Sequence, residues 1–192
     1  MPLSPRATAY LSTLRRTEPV PTRVVEDLLR ASLAAPPATW LDFHERFAGY
    51  VEPLGNEAAA WGLTHRRSHW YTPMTVSIEG SLQPEAGAFI ACADVHPSYV
   101  YKLGDTGFFR DPAAQSFERK VERNAVRVEF FARGTKASRV YELSAAAFVD
   151  RAKAAPLISE ASDGFLRVYA SERVFAVQRV KDERFIEGWQ AA

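Results

Sequence analysis

A chain of 192 residues, 47% hydrophobic, 12% aromatic and 24% charged, has the composition of one folded domain, or of one domain with an added subdomain. Its aromatic content excludes a disordered or low-complexity protein, and a chain of this length folds without metal or disulfides. With 24 Lys+Arg against 23 Asp+Glu the net charge is +1, too small for a global field that gathers nucleic acid or an anionic membrane.

The single cysteine, Cys92, forms no internal disulfide and fits a reducing compartment. No apolar run approaches a bilayer span, and residues 1–16 hold prolines and arginines but no apolar signal core. The expectation is a cytoplasmic protein without membrane contact. The halves differ mildly: eight Arg and ten acidic residues in 1–96, sixteen basic and thirteen acidic in 97–192.

In chain order, Ser4-Pro5 predicts a helix running to about Arg16, with Ser4 as N-cap and proline in the first turn. Thr22 opens a second helix in which Val24, Val25, Leu28, Leu29 and Leu33 follow one buried face. After Pro36-Pro37, Trp40, Phe43 and Phe47 recur at helical spacing, and Gly49 is placed to end that helix. Beyond Gly55 the pattern changes to short strands: Met74–Ile78 alternates, Phe89–Val95 is apolar, Tyr99–Leu103 is aromatic, and Phe108-Phe109 adds another. Gly104-Asp105-Thr106-Gly107 reads as a turn.

Ser116 caps a further helix with Phe117 and Val121 inward. Val126, Val128 and Phe130 then alternate, predicting a strand from Val126 to Ala132 that turns at Gly134 and returns through Val140 and Tyr141. Ser144 caps a helix with Phe148 inward, and Phe165–Ala170 with Val174–Val180 forms a hairpin. The fold class is α+β: N-terminal helices packed on a twisted antiparallel sheet, with C-terminal hairpin and helix additions.

Candidate chemistry is sparse. His65-x-x-x-His69 would share one face of a helix and hold a metal there, but Arg66 and Arg67 between them repel a cation, and no metal or other cofactor is expected. Nucleophile and phosphate-loop motifs are absent from the sequence. Cys92 and His96, four apart on one strand, stand about 13 Å from each other, too far for a catalytic pair. Arg119, Arg123 and Arg127 form a stripe spaced by four, but interleaved glutamates leave Ser116–Phe131 at net +1, which favours a solvated helix face over a nucleic-acid surface. His69-Trp70-Tyr71 and the alternating Tyr99 and Tyr101 are aromatic anchors of the kind that bury large area at interfaces, whereas Trp40 and Trp61 are assigned to the core.

The helix Trp40-Leu41-Asp42-Phe43-His44-Glu45-Arg46-Phe47-Ala48-Gly49 resembles the opening of the SUKH superfamily, in which such a helix precedes a twisted antiparallel sheet. Ala93–Tyr101 followed by Gly107-Phe108-Phe109 is similar to that family's strands, and Ser116–Arg123 to its closing helix. The resemblance spans about residues 22–124, and it implies a core over 1–124 with a 125–192 extension. It also implies a function: an immunity protein that binds and neutralises a cognate bacterial toxin domain by protein–protein contact, as a monomer or weak homodimer and without catalysis. The residues expected at that interface are Trp70, Tyr71, Tyr99, Tyr101, Asp105, Arg119 and Arg123. The alternatives are a small enzyme using His65, His69 or His96 with Asp94 or Asp105, and a SUKH-type regulatory scaffold.

Overall fold

The computed structural model describes residues 2–31, 33, 35–54, 57–69, 72–78, 89–92, 101–104, 109–110, 113–114, 116–133 and 136–191. It is mixed α+β and divides into two compact units, Leu14–Pro112 and a second built from both ends of the chain, Met1–Thr13 with Ala113–Ala192.

In the Leu14–Pro112 unit, the helices α2 (Thr22–Arg30) and α3 (Ala38–Phe47) form where the sequence places them. Val25 and Leu29 of α2 are buried, whereas Val24, expected on the same face, is 40% exposed; Trp40, Phe43 and Phe47 fill the inner face of α3. Gly49 follows α3 with φ +86°, and a Cβ there would strike the Thr17 carbonyl, so the turn requires glycine. Two antiparallel strands missed in the sequence come next: β2 (Tyr50–Leu54) pairs with β3 (Glu57–Ala60).

On the other side of β2 lies β1 (Arg15–Arg16). The expected first helix therefore stops at Thr13. Arg15 and Arg16 are drawn into the sheet, where the Arg16 side chain donates to the Ala48 carbonyl and lies over the Tyr50 ring. Pairing outweighs local helix propensity here. Further along, β4 (Thr64–His69) pairs with β5 (Thr72–Ile78), and β7 (Tyr101–Gly104) with both β6 (Phe89–Cys92) and β8 (Phe109–Arg110), all antiparallel.

The second unit starts with α1 (Pro5–Thr13), and Ser4 is its N-cap: the Ala7 amide donates to Ser4 Oγ at 3.1 Å. After the two-residue strand β9 (Ala113–Ala114), α4 runs from Phe117 to Ala132. The strand expected over Val126–Ala132 is thus the second half of this helix. The alternation of Val126, Val128 and Phe130 is incidental; Phe117, Val121, Val126 and Phe130 are buried at helical spacing, while Val128 is exposed. Residues 124 and 125 lie inside α4.

The strands β10 (Ala137–Arg139), β11 (Leu166–Ala170), β12 (Val174–Arg179) and β13 (Phe185–Ala191) form one antiparallel sheet in the order β10-β13-β12-β11. The hairpin β11–β12 matches the expectation. β10, expected to pair with the 126–132 segment, pairs instead with β13, which was not foreseen. One face of the sheet packs Val168, Phe175 and Val177 on Val126 and Phe130 of α4. The other packs Val174, Ala176 and Phe185 on Phe148 and Ala152 of α5 (Ala146–Ala154). Gly188 in β13 leaves the room that Phe148 and Leu143 occupy. Among the described residues no helix is long and apolar enough to cross a membrane.

Candidate functional site

Of the residues expected at an interface, Trp70, Tyr71, Tyr99 and Asp105 lie outside the described residues, as do His96 and Asp94. Tyr101 opens β7, opposite Cys92 of β6. His65 and His69 stand on β4, so the shared helix face that a metal pair needs does not form; the register also shifts between Arg67 and His69. Among the described residues no three His, Cys, Asp or Glu side chains are grouped to hold a metal.

Arg119 and Arg123 leave the solvated stripe expected for them. Arg119 donates from Nη1 to the carbonyls of Ser159 (2.9 Å) and Glu160 (2.5 Å), tying α4 to the 3-10 turn Ser159–Ala161. Arg123 is 6% exposed, and among the described residues neither Nη1 nor Nη2 has a hydrogen-bond partner. Burial lowers its basicity, against which the charges of Asp163 and Glu187 act. Only Arg127, exposed and 3.5 Å from a Glu187 oxygen, keeps the expected character.

Beside Arg119 lies an open groove of about 460 Å³, lined by Leu3, Ser4, Glu122 and Glu160 among others. Its polar groups are engaged with one another. The Ser4 amide and hydroxyl both donate to the Glu122 carboxylate at 2.6 Å, and Arg6 bridges Glu129 (2.6 Å) and Glu160 (2.8 Å). This cluster fixes α1 on α4.

An exposed apolar surface lies at the other end of α4. Val128 (44% exposed) and Phe131 (36% exposed) are one turn apart on its outer side. The Phe131 ring meets half-buried Trp189 of β13 edge-on, with centroids 5.0 Å apart. Glu187 accepts from Trp189 Nε1 at 2.9 Å and faces Arg127, so one carboxylate sets the indole and caps the rim. Arg139 stands opposite Trp189 across the β10–β13 pair. Two aromatic rings with arginines on either side match the residue types that dominate binding energy at interfaces. Sequence reading missed this group because its parts come from three elements; the exposed Phe131 was the one local signal, hidden by the strand assigned there.

A buried histidine was missed as well. His44 is 2% exposed on the inner face of α3. Its Nε2–H donates to the Val20 carbonyl at 2.8 Å, and Nδ1 accepts from the Leu63 amide at 3.2 Å. That pair of bonds defines the neutral Nε2–H tautomer, and burial pushes the pKa down. Nearby, Trp61 Nε1 donates to Glu52 Oε2 at 3.0 Å. These groups are structural: each closes a buried polar atom of the Leu14–Pro112 unit.

Comparison with protein-family models, with curated proteins and with solved structures finds no match to this chain.

Proposed function

We propose that this chain is a binding protein and not an enzyme: an immunity protein that neutralises a toxin domain by covering it. The observation that carries the reading is the exposed Phe131 ring set edge-on to half-buried Trp189, with Arg127 and Arg139 beside them. A rigid aromatic spot with a charged rim buries large area at low entropic cost, which is what tight occlusion of another protein needs. The SUKH-like pattern over about residues 22–124 supplies the class of partner. The near-neutral chain argues against a nuclease toxin, whose basic active site calls for an acidic inhibitor.

The test is capture of partners by the tagged chain from its native cells, followed by expression of each partner alone. The expected result is one stoichiometric partner that poisons cells and is silenced by this chain, with nanomolar affinity or better, about −12 kcal/mol. Phe131→Ala should weaken that complex by about 2 kcal/mol or more. A stoichiometric partner that is harmless, or capture of several proteins bound only at tens of micromolar, overturns the immunity reading in favour of a scaffold.

A further inference from the structure

The four-stranded sheet of the second unit has two edges, and the chain treats them differently. At the β11 edge the segment just before the 3-10 turn closes the ladder: Ile158 N–H donates to the Val168 carbonyl at 2.8 Å, and Ala170 N–H to the Pro156 carbonyl at 3.1 Å. At the β10 edge nothing equivalent occurs among the described residues. Val140 N–H donates to the Gly188 carbonyl at 2.9 Å. Antiparallel alternation then turns the amides and carbonyls of Ala137 and Arg139 away from β13, and among the described residues those amides meet no acceptor. An edge of this kind is a template for another strand.

The surroundings select its occupant. Lys136 and Arg139 are exposed at either end of β10, and neither has an ion pair among the described residues. The neighbouring cations are neutralised, Arg133 by Glu129 and Arg127 by Glu187. A second copy of this edge would bring two cations from each chain onto a short ladder, which repels. An acidic strand meets them with opposite charge. Exposed Phe131, edge-on to half-buried Trp189 one strand inward, offers an apolar contact alongside.

The geometry points to β10 as the docking edge for an extended acidic segment of a partner protein, which adds a strand to the sheet through the backbone of Ala137 and Arg139. This inference rests on the reading of the chain as a partner-binding protein and names where and how the partner engages.

The full chain, labelled for amide exchange, is titrated with a capped peptide of about six residues alternating Glu and Val, and separately with its Lys/Val counterpart. The acidic peptide should slow exchange at the Ala137 and Arg139 amides by about tenfold or more, in a salt-sensitive manner. The double reversal Lys136→Glu with Arg139→Glu should switch the preference to the Lys/Val peptide. Arg139→Pro, which removes an outward amide, should abolish protection without that switch. Equal binding of both peptides, binding without protection at these amides, dimerisation through β10, or displacement of the peptide by a single-stranded oligonucleotide overturns the proposal. If a captured toxin binds the double-reversal chain unchanged, the edge proposal fails while the immunity reading stands. If no toxin is captured but the acidic peptide protects the edge, the reverse holds.

Discussion

His44 is held at both ring nitrogens by main chain, one donating to Val20 and one accepting from Leu63, so a second proton has nowhere to go without breaking the Leu63 bond. Its folded-state pKa lies below the ordinary 6.5, and the unfolded chain therefore binds a proton there that the folded chain refuses. The stabilising contribution is complete above about pH 6.5 and declines as pH falls from there toward the lowered pKa. Denaturant titrations at about pH 7.5 and about pH 5.5 should show this loss, and His44→Gln, which keeps a donor and an acceptor without a titrating proton, should show less of it. Arg123 is the opposite case, a buried cation whose Nη1 and Nη2 have no hydrogen-bond partner among the described residues. Replacing such a group by an apolar one of similar length is neutral to stabilising, so Arg123→Met should raise the urea midpoint, by up to about 4 kcal/mol of stability. A loss of several kcal/mol would instead mean that the guanidinium is paired with Asp163 and Glu187 through ordered water.

Helix α4 carries two periods at once. Val126, Val128 and Phe130 alternate as in a strand, while Phe117, Val121, Val126 and Phe130 repeat as in a helix, and the helix prevails because that stripe meets a sheet on its inner side. The side chains separate the two patterns experimentally: Phe130→Ala should cost about 3–5 kcal/mol, whereas Val128→Ala should fall within about 0.5 kcal/mol of wild type. Equal losses at both positions would contradict the helical assignment. Elements with one clear period were legible in the sequence: Val25 and Leu29 in α2, Trp40, Phe43 and Phe47 in α3, the hairpin of β11 and β12, and the Ser4 cap. The unread ones have a local reason. β13 contains Gly188 where Phe148 needs space, and β1 is a strand only because Tyr50 and Val51 lie beside it. The candidate surface was less legible still. Arg119 turns inward to carbonyls forty residues on, and the Phe131–Trp189 contact joins residues that no spacing rule connects.

At the scale of the whole chain, the second unit is closed by its own beginning. The Glu122 carboxylate takes both the amide and the hydroxyl of Ser4, and Arg6 reaches Glu129 and Glu160, so the first residues of the chain complete a unit whose sheet is made by the last. Glu122 is 1% exposed, so its truncation leaves the Ser4 cap without its carboxylate and opens space beside α4. Charge-assisted bonds of this kind are worth about 1.5–3 kcal/mol each, and Glu122→Ala should loosen the seam between α1 and α4 by an amount of that order. Because α2 and α3 belong to the other compact unit with its own buried residues, their amides should keep their protection. Native-state hydrogen exchange reads the difference: amides of α1, α4 and β13 should exchange about tenfold faster for every 1.4 kcal/mol lost, with those of α2 and α3 unmoved. Acceleration of equal size in both sets would mean that the two units open together as one cooperative body. Acceleration confined to α1 would mean that the first helix detaches while α4 and the sheet hold without it.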